Sequence, residues 1–360
     1  MTTKHLLVDL SSHGFGHFAQ TSVVLNALHQ LAPELKITVR GTLPEALIQE
    51  RLEAPVTYLH HALDVGMKMH DAVAVDAAAS FAYYDNFHRD YQSQVAAEVN
   101  ALQTLKPDLL LANVPYVSLS AAHQLGIPSI AFCSLNWADI FESYCGQFSG
   151  AAQIIREIRA AYNSARYFLM ATPHMPMPNF QNALAIPPIA YTGSNRADRL
   201  KEWVGNAQAK FILVSLGGIP TQINTAQWPS LENVYWIVGE GVKSTRQDVI
   251  SQRDIDLPFI DLVTSCDAIM TKTGYGTLVE AVAGQTPVIC IERGSWPEEP
   301  PLFEWVRREG YLQILSMRDF ELGSFAKELT EALDTNWLKP PPKCNGSWVA
   351  ANIISDHLSA

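Results

Sequence analysis

No run of lysine or arginine occurs anywhere in the sequence, and its formal net charge is -11. An electrostatic footprint for a phosphate backbone is missing, so nucleic acid is not an expected partner. No apolar run approaches the ~20 residues that a membrane-spanning helix needs, so no transmembrane segment is expected. The apolar piece near the start, Leu6 to Leu10, is interrupted by Asp9 and is too short for a signal-peptide core, which makes a cytoplasmic protein the expectation. Five cysteines, Cys133, Cys145, Cys266, Cys290 and Cys344, stand far apart with no CxxC pair, and no histidine cluster has zinc spacing. They read as buried thiols, and no metal or other cofactor is expected. GxGxxG and GxxxxGK[ST] are both absent, which leaves redox-dinucleotide and P-loop kinase chemistry without their signatures.

What remains is a chain rich in core. Of 360 residues, 48% are hydrophobic and 17% charged, and the length exceeds that of an ordinary single-core domain. Short apolar runs with helical stretches between them mark βαβ units. In the first half the runs are His5 to Leu10, Lys36 to Arg40, Asp108 to Ala112, Ser129 to Cys133 and Tyr167 to Ala171. The pattern restarts with Phe211 to Ser215, Tyr235 to Val238, Ala268 to Thr271 and Pro287 to Ile291. A proline-rich passage from Pro173 to Gly193 separates the halves, where fixed φ and missing N–H donors discourage helix. The predicted fold class is α/β, with two tandem Rossmann-like doubly wound domains facing a cleft. The domains are placed at 1–192 and 200–342, and a terminal helix within 345–360 is expected to pack back on the first.

In doubly wound sheets, ligands bind beyond the carboxyl ends of the strands, so the turns there carry the functional expectations. The first strand leads into Ser11-Ser-His-Gly-Phe-Gly-His17 and a helix over Phe18 to Leu31. Gly14 and Gly16 let a polar acceptor approach the main chain, and His13 and His17 are candidate bases for an acceptor hydroxyl. Asp139, after Asn136-Trp137, reads as an orienter of imidazole, a ligand of a sugar hydroxyl or a helix cap. The aromatic stretch Phe81 to His88 suits a sugar face but also a core.

In the second half, Phe211 to Ser215 ends at Gly217 and Gly218, where main chain can approach a ligand. Ala268 to Thr271 runs into a turn with Thr273, Gly274, Gly276 and Thr277, and a helix is expected to open at about Thr277. Backbone N–H groups, hydroxyls and the helix dipole converge there on a place for a diphosphate, with no metal required. Glu280, one turn inside, is positioned to accept from ribose hydroxyls. The rival reading is a capping box made by Thr277 and Glu280. The loop Glu292 to Pro301 brings Arg293 to offset phosphate charge and carboxylates to hold sugar hydroxyls.

Taken together, these second-half residues resemble the donor domain of GT-B glycosyltransferases. The resemblance implies that Gly274, Gly276 and Thr277 hold the donor diphosphate, that Glu280 binds ribose, and that Glu298 or Glu299 holds the sugar. A closer resemblance covers nearly the whole chain, to the glycosyltransferase-like N-terminal region of plant L-arabinokinases and their free-standing bacterial relatives. It is carried by His13-Gly-Phe-Gly-His17, Asn136-Trp137, Pro176-Met-Pro178, Gly217-Gly218, Lys272-Thr-Gly-Tyr-Gly-Thr277 and Glu298-Glu-Pro300. No stretch here matches the kinase domain of those enzymes, so sugar-kinase activity is not implied. The first glycine turn and Asn136-Trp137 would serve an unidentified acceptor, with His17 favoured over His13 as base. The expected activity is metal-independent transfer of a sugar from a nucleoside diphosphate sugar, UDP type favoured, to a hydroxyl. The alternatives are a nucleotide-sugar epimerase or hydrolase using Asp139 or Glu142, and a nucleotide-sugar-binding protein without catalysis.

Overall fold

The computed structural model describes residues 3–64, 66–217, 223–335, 337 and 339–359. Gly218, one of the expected donor-site glycines, lies outside the described residues. By internal contacts the chain forms two compact units: residues 1–70, 75–189 and 344–360 make the first, and residues 71–74 and 190–343 the second.

The first unit runs β1 (His5–Leu10), α1 (Gly16–Leu31), β2 (Lys36–Gly41), α2 (Glu45–Arg51), β3 (Thr57–His60), α3 (Ala77–His88) and α4 (Tyr91–Leu105). It continues with β4 (Leu109–Asn113), α5 (Val117–Leu125), β5 (Ser129–Cys133), α6 (Trp137–Cys145), α7 (Ala151–Ser164), β6 (Tyr167–Ala171) and β7 (Ala183–Ile186). The second unit runs α8 (Ala197–Val204), β8 (Lys210–Ser215), β9 (Val234–Val238), β10 (Val249–Ser251), α9 (Phe259–Ser265) and β11 (Ala268–Lys272). Then follow α10 (Tyr275–Ala283), β12 (Val288–Ile291), α11 (Glu299–Glu309), β13 (Leu312–Leu315), α12 (Met317–Leu322) and α13 (Ala326–Leu333). The last helix, α14 (Gly346–Ser359), packs on α1 in the first unit.

Both sheets are parallel. The first has strand order β3-β2-β1-β4-β5-β6-β7 and the second β10-β9-β8-β11-β12-β13. A parallel sheet covered on both faces needs strands that are apolar throughout, which is why β1 and β4 are buried along their whole lengths. One charge breaks the rule in β1. Asp9 is buried and held in a bidentate pair with Arg40 of β2, both contacts at 2.7 Å, and Arg40 also pairs with Glu98 of α4. A buried guanidinium is tolerable because two carboxylates compensate it.

The chain reverses its direction of sheet growth between β1 and β4, and again between β8 and β11. At such points the turns after neighbouring strands diverge and leave a crevice. The turn after β1 and the turn after β11 occupy these two positions.

The core on one face of the second sheet is aromatic, with Trp228 and Trp236 rings 4.7 Å apart and Phe320 and Phe325 beside them. Ala72 and Val73, from the long β3–α3 connection, are buried in this same core.

Candidate functional site

In the first unit, the turn after β1 is held from three sides by one buried carboxylate. Asp64 Oδ1 accepts from the Ser11 hydroxyl at 2.8 Å and the Ser12 amide at 3.0 Å, and Oδ2 accepts from the Trp137 indole N–H at 2.8 Å. Burial pushes its carboxyl above the ordinary value, while these donors and the nearby His17 pull the other way. The Trp137 ring lies edge-on to His13 at 5.1 Å and tilted to His17 at 5.7 Å. Gly66 lies directly against His13: a Cβ there would sit 2.7 Å from the imidazole. Asp64, Gly66 and Trp137 thus wall the two histidines, and none of the three is adjacent to them in sequence.

His17 is buried in the first turn of α1, and its Nδ1 is 2.9 Å from Asn113 Oδ1. The amide of Asn113 donates to His17 O, Gln20 Oε1 and Thr21 Oγ1, which fixes its carbonyl oxygen as the atom facing the imidazole. His17 Nδ1 therefore carries the hydrogen, and Nε2 is the basic nitrogen. Gly14 has φ +78°, a left-handed conformation that favours glycine. A Cβ on Gly14 or Gly16 would meet no atom within 4 Å, and the first turn of α1 has no side-chain cap.

Asp139 does not join this group. It is bound by Arg159 at 2.7 Å and by the Asn136 amide at 2.9 Å, and Arg159 also binds Glu142 at 2.5 Å. The capping role belongs to Asn136, whose side chain accepts from the Asp139 amide at the start of α6. Asn136 and Trp137 are fully buried and act here as supports. The aromatics of Phe81 to His88 are drawn into packing. Phe81 stacks on Phe148 at 4.6 Å, Tyr84 is buried, and His88 lies between Glu157 and Tyr116, each at 2.7 Å.

In the second unit, α10 starts at Tyr275 with Gly274 as its N-cap, two residues earlier than expected. Thr277 and Glu280 are thus helix-interior residues and form no capping box, and the N-cap residue, Gly274, has no side chain to cap the helix with. The start of such a helix carries the partial positive charge of the helix dipole. Glu280 is buried, on the same helix.

The loop after β12 is clasped by Glu299. One oxygen accepts from the Thr273 hydroxyl and the Arg293 amide, the latter at 2.7 Å, and the other accepts from the Gly294 amide at 2.9 Å. Thr273 and Glu299 are spent on joining the α10 turn to this loop. Glu298 is buried at the start of α11, with its carboxylate 3.2 Å from the Trp296 indole nitrogen. The Arg293 guanidinium lies 3.6 Å over the Trp296 ring and donates to the Val73 carbonyl at 3.4 Å.

Lys272, the last residue of β11, was not among the expected site residues. Its stem lies across Gly217, where a Cβ would stand 3.3 Å from Lys272 Cε, and Gly217 itself has φ +77°. Burial and, secondarily, the like charge of Arg293 push the Lys272 ammonium down to about 8. A cavity of about 710 Å³ opens elsewhere in this unit, over Trp228, Val242 and Phe320. None of the expected residues lines it. Among the described residues, no cluster of three or more His, Cys, Asp or Glu is placed to hold a metal, and no helix is long and apolar enough to cross a membrane.

No family model matches the chain. It is distantly related to the L-arabinokinase of Arabidopsis thaliana, 24% identical over 368 residues that cover 99% of this chain and 35% of that protein. The chain thus spans about a third of the length of that curated relative. Among solved structures it resembles the glycotransferase of kitacinnamycin at 16% identity and a TM-score of 0.64, over 99% of this chain and 100% of that one. It also resembles a UDP-glucosyltransferase from Polygonum tinctorium at 13% identity and a TM-score of 0.61, with both chains covered completely. The UDP-GlcNAc 2-epimerase of Methanocaldococcus jannaschii matches at 11% identity and a TM-score of 0.56, over 99% of this chain and 100% of that one. The two parallel α/β sheets, of seven and six strands, are those of the GT-B glycosyltransferase fold.

Proposed function

We propose that the protein is a metal-independent glycosyltransferase that moves a sugar from a nucleoside diphosphate sugar, of UDP type, to an acceptor hydroxyl. The observation that carries this reading is the start of α10, a helix N-terminus with glycine at its N-cap, entered from β11 at the reversal point of the second sheet. The main chain at Gly274 and Gly276, with the Thr277 hydroxyl, holds the diphosphate, and the buried Glu280 accepts from the ribose hydroxyls. Main-chain donors fixed before reaction stabilise the leaving diphosphate without a metal. Arg293 adds positive charge. Glu298 accepts from the sugar hydroxyls, because both oxygens of Glu299 are committed to the loop.

In the first unit, His17 takes the acceptor's proton on Nε2, with His13 beside it and Gly14 and Gly16 leaving space for the acceptor. The epimerase or hydrolase reading relied on Asp139 or Glu142, and both are tied to Arg159. That engagement favours transfer.

A thermal-shift panel of UDP, GDP, dTDP, CDP and ADP with their sugar conjugates tests the reading on wild type and Glu280→Ala. A ligand bound only by the native state raises melting temperature; at 100 times its Kd the gain is about 2.7 kcal/mol. One nucleotide should stabilise wild type and leave Glu280→Ala unshifted. If none of them moves the wild type, the donor site is lost and the glycine turns are structural only.

A further inference from the structure

Lys272 lies at the C-terminal end of β11, next to the start of α10, with its stem across Gly217. A Cβ on Gly217 would crowd this stem, at 3.3 Å from Lys272 Cε. Among the described residues the Lys272 ammonium makes no hydrogen bond and no ion pair. An ammonium in a half-buried position normally finds an acceptor, because withdrawing it from water without one is costly.

The charged groups around it do not supply that acceptor. Arg293, on the loop after β12, repels it. Glu298, at the start of α11, attracts it but sits against the Trp296 indole. Cys290 on β12 is a thiol that burial pushes up to about 12, and it faces Glu292 and Glu299 as well as Lys272. The C-terminal end of β8 brings Ser215, Leu216 and Gly217, none of them charged, and the first turn of α10 holds no acidic residue. Two cations, Lys272 and Arg293, and the N-terminal end of α10 with its glycine N-cap thus lie around one turn.

We propose that Lys272 is the ionic ligand of the donor's diphosphate, and that the protein takes up a proton at this lysine as the donor binds. The inference rests on the nucleotide-sugar reading above and adds to it a charge-dependent step. A bound diphosphate stabilises the charged ammonium and so raises its titration point in the complex. With the unliganded lysine at about 8, part of the population is neutral in mildly alkaline solution and must be protonated on binding. Donor affinity therefore falls as pH rises through that value. Below it the lysine is already charged, and the dependence vanishes.

The test is calorimetry on the full chain with UDP-glucose, GDP-mannose and ADP-glucose, between about pH 7.0 and 8.5, in two buffers of different ionisation enthalpy. These conjugates carry no phosphate proton that titrates in that window, and their bases titrate outside it. Wild type should take up about half a proton at about pH 8 and bind about fourfold more weakly at the top of the range than at the bottom. Lys272→Arg keeps its charge throughout, so its affinity should be flat with pH and without linked proton. Lys272→Met should also be flat, but at least about tenfold weaker at the acid end. Melting of both variants without ligand reports whether they fold, and the wild-type proton count decides the matter even if they do not. Donor binding by wild type with no linked proton, or an unchanged pH dependence in a folded Lys272→Arg, overturns this inference alone. Failure of wild type to bind any of the conjugates overturns it together with the nucleotide-sugar reading.

Discussion

A carboxylate buried beside an imidazole changes what that imidazole can do. Asp64 touches both residues that precede His13 and the indole that packs on both histidines, and its charge acts on His17. Removing a nearby negative charge destabilises imidazolium, so Asp64→Asn should lower the pKa of His17 and move the acid limb of the pH–rate profile downward. The His17 Cε1–H titration by NMR measures this without knowledge of the acceptor, and an unchanged titration in a folded variant would mean that Asp64 only braces the turn. His17→Ala should lose about 10²-fold or more in transfer while donor binding in the second unit stays unchanged; equal loss of donor affinity would remove His17 from the role of base. The histidines were legible because they flank two glycines after a strand. Asp64 was not, since it sits in an irregular connection with no motif and meets its partners only through the tertiary fold. Lys272 lay inside a quoted motif, but spacing alone could not reveal that its stem crosses Gly217.

At the scale of elements, the strands that the sequence concealed share one physical cause. Central strands such as β1, β4, β8 and β11 are continuous apolar runs because both their faces are covered, and their boundaries were legible to within a residue or so. The four unanticipated strands, β3, β7, β10 and β13, are the outer strands of their sheets. Each is three or four residues long and largely half-buried or exposed, so its apolar signal is weak. The start of α10 was misplaced because Thr277 and Glu280 mimic a capping box, whereas the helix begins at a glycine N-cap that carries no capping side chain. That glycine separates folding from binding. Gly274 has φ -171°, extended backbone open to any residue, and a Cβ there would meet nothing closer than the Lys272 carbonyl at 4.0 Å. Gly274→Ala should therefore melt within about 1 kcal/mol of wild type, yet place a methyl group where the diphosphate is proposed to lie and weaken donor binding by about tenfold or more. Normal donor affinity in Gly274→Ala would move the diphosphate away from this turn.

For the whole molecule, the division into two units does not follow the order of the chain. The first unit is completed by 344–360 from the C-terminal end, and the second by 71–74 from within the first half. Composition and proline content indicate where one sheet ends and the next begins, but they carry no trace of a four-residue excursion. Burial does explain it: Ala72 and Val73 are apolar residues placed in the aromatic core of the second unit, and the turn is fixed by Asp71, whose carboxylate accepts from the Val73 and Ala74 amides at 2.8 Å. The same segment presents the Val73 carbonyl to Arg293, the residue proposed to add positive charge at the donor site. Truncating Val73 to alanine removes buried methyl groups and should destabilise the protein by about 1–2 kcal/mol, read by denaturant unfolding, while the carbonyl stays in place. Asp71→Ala instead releases the turn that aims the carbonyl, so it should weaken donor binding more than its effect on stability accounts for. If Val73→Ala and Asp71→Ala change donor affinity only in proportion to lost stability, the excursion serves to fill the core and has no part in setting Arg293.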